Sequence, residues 1–297
     1  MRLVKLAIML CCIVLPATAS AQVAFPPDAA WTPLRCNRAP MSDGFQDQAG
    51  AFDERDIVGN PAAAAGLRAS DATYLYLRMR LDKDPAPGGA VRPFAWGMEF
   101  DLDGDLTNYE LMVAVDGIAG AAGTVSVFRN KTTTLPNDPN DPADQPAVAT
   151  YPFAMNARSV SAPGSNYGGN ADFFLDFAVP WSALVPLMLD RTTPTYVWAA
   201  TSSSATSLNG DVACHDGASG PARLDGTASD QTTGAPAPPP APAPGTGPGG
   251  TEQLEGGGGC TAGGAGSPLA ALAIFALFPL RRRGRTAAFI KRCRGSR

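Results

Sequence analysis

The chain has 297 residues, 45% of them hydrophobic, with 32 Gly and 28 Pro, enough apolar material for a packed core in one large domain or two small ones. Its formal net charge of -4 is unevenly spread: of 23 Lys and Arg, two precede Gln22 and eight follow Leu280, leaving 13 against all 27 Asp and Glu in between. So acidic a middle repels a phosphate backbone, which argues against nucleic acid as a partner.

Residues 1–21 read as a secretory signal. Arg2 and Lys5 give a positive start, and Leu6 to Leu15 is an apolar run too short to span a bilayer. Pro16 breaks it, and Ala19-Ser20-Ala21 offers small residues for cleavage before Gln22. Cys11 and Cys12 leave with the signal. Cys36 and Cys214 then remain in the body of the protein, and in an exported chain they are a candidate disulfide, the alternative being two free thiols.

Residues 22–225 have the composition of a folded domain, and period-two alternation dominates them. In 73–81, Leu75, Leu77, Met79 and Leu81 face one side and Tyr74, Tyr76, Arg78 and Arg80 the other. Phe94, Trp96, Met98 and Phe100 alternate with Ala95, Gly97, Glu99 and Asp101. Strands are also expected over 109–116, 124–128, 173–179 and 195–201, with a polar loop at 136–146 and one short helix at 181–189 after Pro180. Several short strands separated by turn signals predict an all-β fold, an antiparallel, jelly-roll-like β-sandwich.

Two patterns in this domain could carry binding. Asp101-Leu102-Asp103-Gly104-Asp105, with Glu110 five residues on, places carboxylates at alternate positions with Gly at a turn. Calcium takes six to eight oxygens from such groups, and calcium is the one cofactor the sequence suggests. The flanking strands exclude an EF-hand, and the same run also suits a plain Asp-Gly turn. The Tyr74, Tyr76, Arg78, Arg80 face, with Glu99 joining it if the strands pair, offers flat rings and charges to a surface glycan. It also suits a half-covered sheet face in which Arg78 or Arg80 pairs with Glu99. Catalysis has little support, because His215 is the single histidine and its neighbour Cys214 is the disulfide candidate.

Beyond the domain, residues 226–259 read as a disordered Pro/Gly linker: Ala235 to Gly250 is stiff polyproline passing into flexible glycine. Gly256 to Cys260 follows, then the apolar run from Leu269 to Leu280, then Arg281, Arg282, Arg283 and Arg285. Residues 260–285 thus pair a Cys motif and a hydrophobic helix with an Arg cluster that marks the cytoplasmic side, and residues 286–297 form a basic tail. This order resembles the tripartite C-terminal sorting signals of Gram-negative bacteria, most closely the myxobacterial type. The resemblance implies a membrane-held precursor, cut near Cys260 by a sorting protease and carried to the outer surface; a plain single-span anchor is the alternative.

The domain itself resembles exported bacterial sandwiches related to DOMON-like domains and family-9-like carbohydrate-binding modules. The residues that carry this are Asp56-Ile57-Val58-Gly59, Tyr74 to Arg80, Trp96-Gly97, Asp101 to Asp105, Tyr109-Glu110, Asp172-Phe173-Phe174 and Val179-Pro180. The resemblance implies sugar or haem binding, and haem lacks a Met/His pair here. The expectation is a non-catalytic cell-surface binding or adhesion module, carbohydrate-binding and calcium-stabilised. A structural envelope protein without a small ligand is the alternative, and a hydrolase the weakest reading.

Overall fold

The computed structural model describes residues 21–48, 53–215 and 221–234. Residues 1–20 of the expected leader, most of the linker, Cys260, the apolar run and the basic tail lie outside the described residues.

The first strands are short: β1 (Thr32–Pro33), β2 (Arg35–Cys36), β3 (Ala39–Pro40) and β4 (Gly66–Ser70). The long ones follow: β5 (Tyr74–Leu81), β6 (Ala95–Asp101), β7 (Leu111–Asp116) and β8 (Thr124–Arg129). After them come β9 (Ala149–Pro152), β10 (Ala157–Ser161), β11 (Phe173–Pro180), β12 (Pro194–Ser202), β13 (Asp211–Val212) and β14 (Thr232–Thr233). One-turn helices α1 (Phe153–Asn156) and α2 (Trp181–Leu184) sit at strand ends, and α3 (Leu224–Thr227) lies between β13 and β14.

Every pairing is antiparallel. One sheet runs β1-β4-β5-β11-β10, the other β13-β12-β6-β7-β8-β9 with β14 added on β12, and β2 pairs β3 apart from both. The alternation read from the sequence sets which face turns inward. Leu75, Leu77, Met79 and Leu81 of β5 and Leu175, Phe177 and Val179 of β11 meet Trp96, Met98, Phe100, Val113 and Val127 of the other sheet in one core. Register aligns them: Ala199, Met98, Val113 and Val127 stand in a single row across β12, β6, β7 and β8. Each such side chain contributes about 1.5–3 kcal/mol by leaving water. The result is a β-sandwich-like molecule.

Both outer faces are also covered. Val23 and Trp31 lie over Ala69, Tyr76 and Ala178 on one sheet. Leu208, Leu224 and Ala143 lie over Met112, Phe128 and Trp198 on the other. All seven residues of β6 are therefore buried.

Cys36 and Cys214 form a disulfide across a sequence separation of 178, with Cα atoms 6.2 Å apart, inside the usual range. The packed chain runs past residue 225. Ser229 exchanges hydrogen bonds with the Val197 backbone, its N–H donating at 2.9 Å and its Oγ accepting at 2.9 Å. β14 then pairs with the start of β12. Gly234 lies so close under Trp181 that a Cβ would stand 2.4 Å from the ring. Among the described residues no helix is long and apolar enough to cross a membrane.

Candidate functional site

The Asp101–Glu110 segment is the turn between β6 and β7, whose pairing puts Phe100 opposite Leu111. Asp101 Oδ1 accepts the N–H groups of Asp103 (2.8 Å) and Gly104 (2.7 Å), and Gly104 takes φ 90°, which a side chain would strain. Asp103 Oδ1 accepts Asp105 N–H at 3.0 Å. Glu110 Oε2 reaches back to accept Leu102 N–H at 2.7 Å. These bonds bring one oxygen each of Asp101, Asp103 and Glu110 within 4.8 Å of one another.

Asp105 does not join them. Its carboxylate turns to its own loop, accepting Thr107 N–H and Oγ1–H and Asn108 Nδ2–H. Among the described residues, Asp101 Oδ2 and Asn108 Oδ1 are buried without a hydrogen-bond partner. Burial, then the charges of Asp103, Asp101 and Asp105, pushes the Glu110 carboxyl up to about 7. Burial raises that of Asp101 as well. The raised Asp101 and Glu110 carboxyls and the idle buried oxygen of Asp101 would gain from a hard divalent cation, which takes oxygen ligands of this kind.

The Tyr74, Tyr76, Arg78 and Arg80 side chains do share one face, but segment 23–31 lies across it. Tyr76, Arg78 and Arg80 are 3%, 2% and 7% exposed, and Tyr74 is half-buried. The Tyr76 ring packs among Phe25, Trp31 and Tyr74, and its hydroxyl donates to Asp71 at 2.7 Å. The Arg78 guanidinium lies over Trp31 and Phe174, at 4.2 and 4.3 Å from their ring centres. It forks onto Asp176 at 2.6 and 2.9 Å and reaches Asp28 at 2.9 Å. Arg80 stacks on Phe174 and donates to Ala64 O. The rings are engaged with one another, so this face offers no open platform to a sugar.

Glu99 does not belong to that face. β5 pairs with β4 and β11, whereas β6 pairs with β12 and β7, so strands adjacent in the chain stand in different sheets. Glu99 points to the outer face of the second sheet, between Trp198 and Met112 in register. It is fully buried, and neither carboxyl oxygen has a hydrogen-bond partner among the described residues. Burial and then Asp141 raise its carboxyl well above the usual range. The carboxylate that pairs with Arg78 is that of Asp176, not Glu99.

Two groupings were not read from the sequence. Near the disulfide, carboxylate oxygens of Asp43, Asp47 and Asp211 lie within 4.8 Å of one another. Asp211 there accepts Ile57 N–H at 2.6 Å and Gln48 Nε2–H at 2.8 Å. The Cys36–Cys214 pairing, once granted, carries Asp43 and Asp47 toward Asp211, and was the one signal that could have found the group. The second is a groove of about 570 Å³ beside the Asp101 turn, bounded by Asp103 and Glu110, by Arg129 to Lys131 at the end of β8, and by Pro186 to Met188 after α2. His215 lines a separate polar cleft with Asp47 and Asn209. No family model, curated protein or solved structure matches the chain.

Proposed function

We propose that this chain is an exported, non-catalytic binding module, a jelly-roll-like sandwich displayed at the cell surface, with calcium held by Asp101, Asp103 and Glu110. The observation that carries the reading is the convergence of those three carboxylates around a buried, unpartnered Asp101 Oδ2. Calcium would be completed by backbone carbonyls and water. Export is supported by the leader residues and by a disulfide, which persists in oxidising compartments. The disulfide also engages Cys214, which removes that thiol as a nucleophile beside His215. Display rests on Cys260 and the apolar and basic residues after it. The kinship with exported sugar-binding sandwiches is part of the same proposal.

Calorimetry with calcium tests the metal. Heat is expected for the wild type and is lost in Glu110→Gln, and calcium at a hundredfold over its dissociation constant adds about 2.7 kcal/mol to unfolding stability. No heat at millimolar calcium sinks the site. Cys260→Ser should abolish surface release; unchanged localisation would count against the sorting signal. The sealed Tyr74–Arg80 face favours a second reading, a structural envelope protein without a small ligand, which absence of both calcium and ligand binding would select.

A further inference from the structure

Antiparallel pairing of β7 with β8 sets Leu111 opposite Arg129, and Asn130 N–H donates to Glu110 O at 2.9 Å. The residues after β8 are thereby fixed beside the Asp101 turn, across the groove described above. Asn130 is 4% exposed and donates through Nδ2 to Asp141 at 2.7 Å, yet its Oδ1, on the groove side chain, has no partner among the described residues. Among the described residues the Arg129 guanidinium donates only to the Pro186 carbonyl, at 3.4 Å. Among the described residues no carboxylate forms an ion pair with the Arg129 or Lys131 side chain, and Asp144 Oδ2 accepts only the Lys131 backbone N–H, at 2.9 Å.

We infer that this groove is a ligand site for acidic saccharides, an inference that rests on the cation site proposed above. A bound divalent cation offsets two of the charges of Asp101, Asp103 and Glu110, and Arg129 with Lys131 then outweighs the third along the groove wall, while Asp105, turned to its own loop, and Asp144, behind the Lys131 N–H, do not line it. That selects an anion, and the planar fork of Arg129 suits a carboxylate. The buried Asn130 Oδ1 adds a second demand: it accepts and cannot donate, so it needs a hydroxyl or N–H. A bare phosphate leaves it idle, whereas a sugar acid supplies carboxylate and hydroxyls together. Hydroxyl oxygens can also replace water on calcium. The volume lies within the range of roughly 300–1,000 Å³ common to small-ligand sites. Met188, 81% exposed on the rim, offers an apolar surface to the C–H face of a ring.

Calorimetry on the secreted protein, with a glucuronate-containing tetrasaccharide and its carboxyl-reduced counterpart, each in calcium and in EDTA, tests the inference. The acidic probe should bind in calcium, and the reduced probe and the EDTA arm should each weaken binding by about tenfold or more. Arg129→Gln and Lys131→Ala should lower acidic-probe affinity by a similar factor while the calcium heat and melting temperature stay at wild-type values. Calcium heat without acidic-probe binding, or equal binding of the two probes, overturns the inference and leaves the cation site standing. Equal binding of the acidic probe in EDTA and calcium, with no calcium heat, overturns the cation site and the cation's part in the groove. Absence of both heats overturns both.

Discussion

Arg78 and Asp176 are a buried ion pair, 2% and 0% exposed, and a buried charge that loses its partner is far more costly than the pair itself. Among the described residues, Arg78→Met leaves Asp176 with only Arg158, which bonds it at 2.8 Å from a half-buried position. That substitution should cost about 3–5 kcal/mol in urea unfolding, and Arg78→Met with Asp176→Leu should recover much of the loss. The alternation that put Arg78 on one face with Tyr76 was legible in the sequence. The cover was not, because residues 23–31 carry no periodicity and pack through single large side chains such as Trp31. Asp211 yields a pH prediction. Burial, then Asp56 and Asp47, pushes its carboxyl well above the usual range, against the hydrogen bond from Ile57. The folded state keeps a proton that the unfolded chain releases near pH 4. Stability from this group is whole below that pH and is lost as pH rises toward the folded value. In EDTA, the urea midpoint of the wild type should fall relative to Asp211→Asn between pH 5 and pH 8; a constant difference would refute the raised affinity.

At the level of elements, the strands read from the sequence reappear within a residue or two. β5, β6, β7, β8, β11 and β12 each present apolar side chains to the inner core at alternate positions. β4, β9 and β10 escaped notice because their alternate residues are Arg, Ser and Thr rather than large apolar groups. β14 lay in a stretch that reads as linker, and only its pairing with Pro194 and Thr195 makes it a strand. The helix expected after Pro180 is one α turn continued by a 3-10 turn, Val185–Leu187. Burial on both sides makes β6 intolerant of added atoms. A Cβ on Gly97 would stand 2.6 Å from the Val113 carbonyl oxygen and 2.9 Å from Leu208 Cδ1. Gly97→Ala should therefore lose about 1–3 kcal/mol by overpacking, seen as a lower melting temperature with calcium binding retained.

On the scale of the whole molecule, half of the candidate site was contiguous in the chain and half was not. Asp101, Asp103 and Glu110 advertise themselves within ten residues, whereas Arg129 to Lys131 and Pro186 to Met188 meet them only because β8 lies beside β7 and α2 ends nearby. No local pattern encodes that meeting. The disulfide is the covalent long-range constraint among the described residues. Closing a loop with a separation of 178 residues lowers unfolded-chain entropy by an amount equivalent to roughly 5 kcal/mol at most. Cys36→Ser with Cys214→Ser should lower unfolding stability by up to that much, and a loss under about 1 kcal/mol would mean the reduced unfolded chain is already compact. The same bridge also governs how the molecule responds to mechanical tension. Every strand from β3 to β13 lies between its two cysteines. A pull on the chain beyond Gly234 first peels β14 from β12, then has to free Ser229 from Val197 and Leu224 from the Trp198 cluster, and only then reaches Cys214, where the disulfide carries part of the load to Cys36. β12 and β13 lie inside the closed loop, so tension from the tail is shared with Cys36 before either strand is drawn from its sheet.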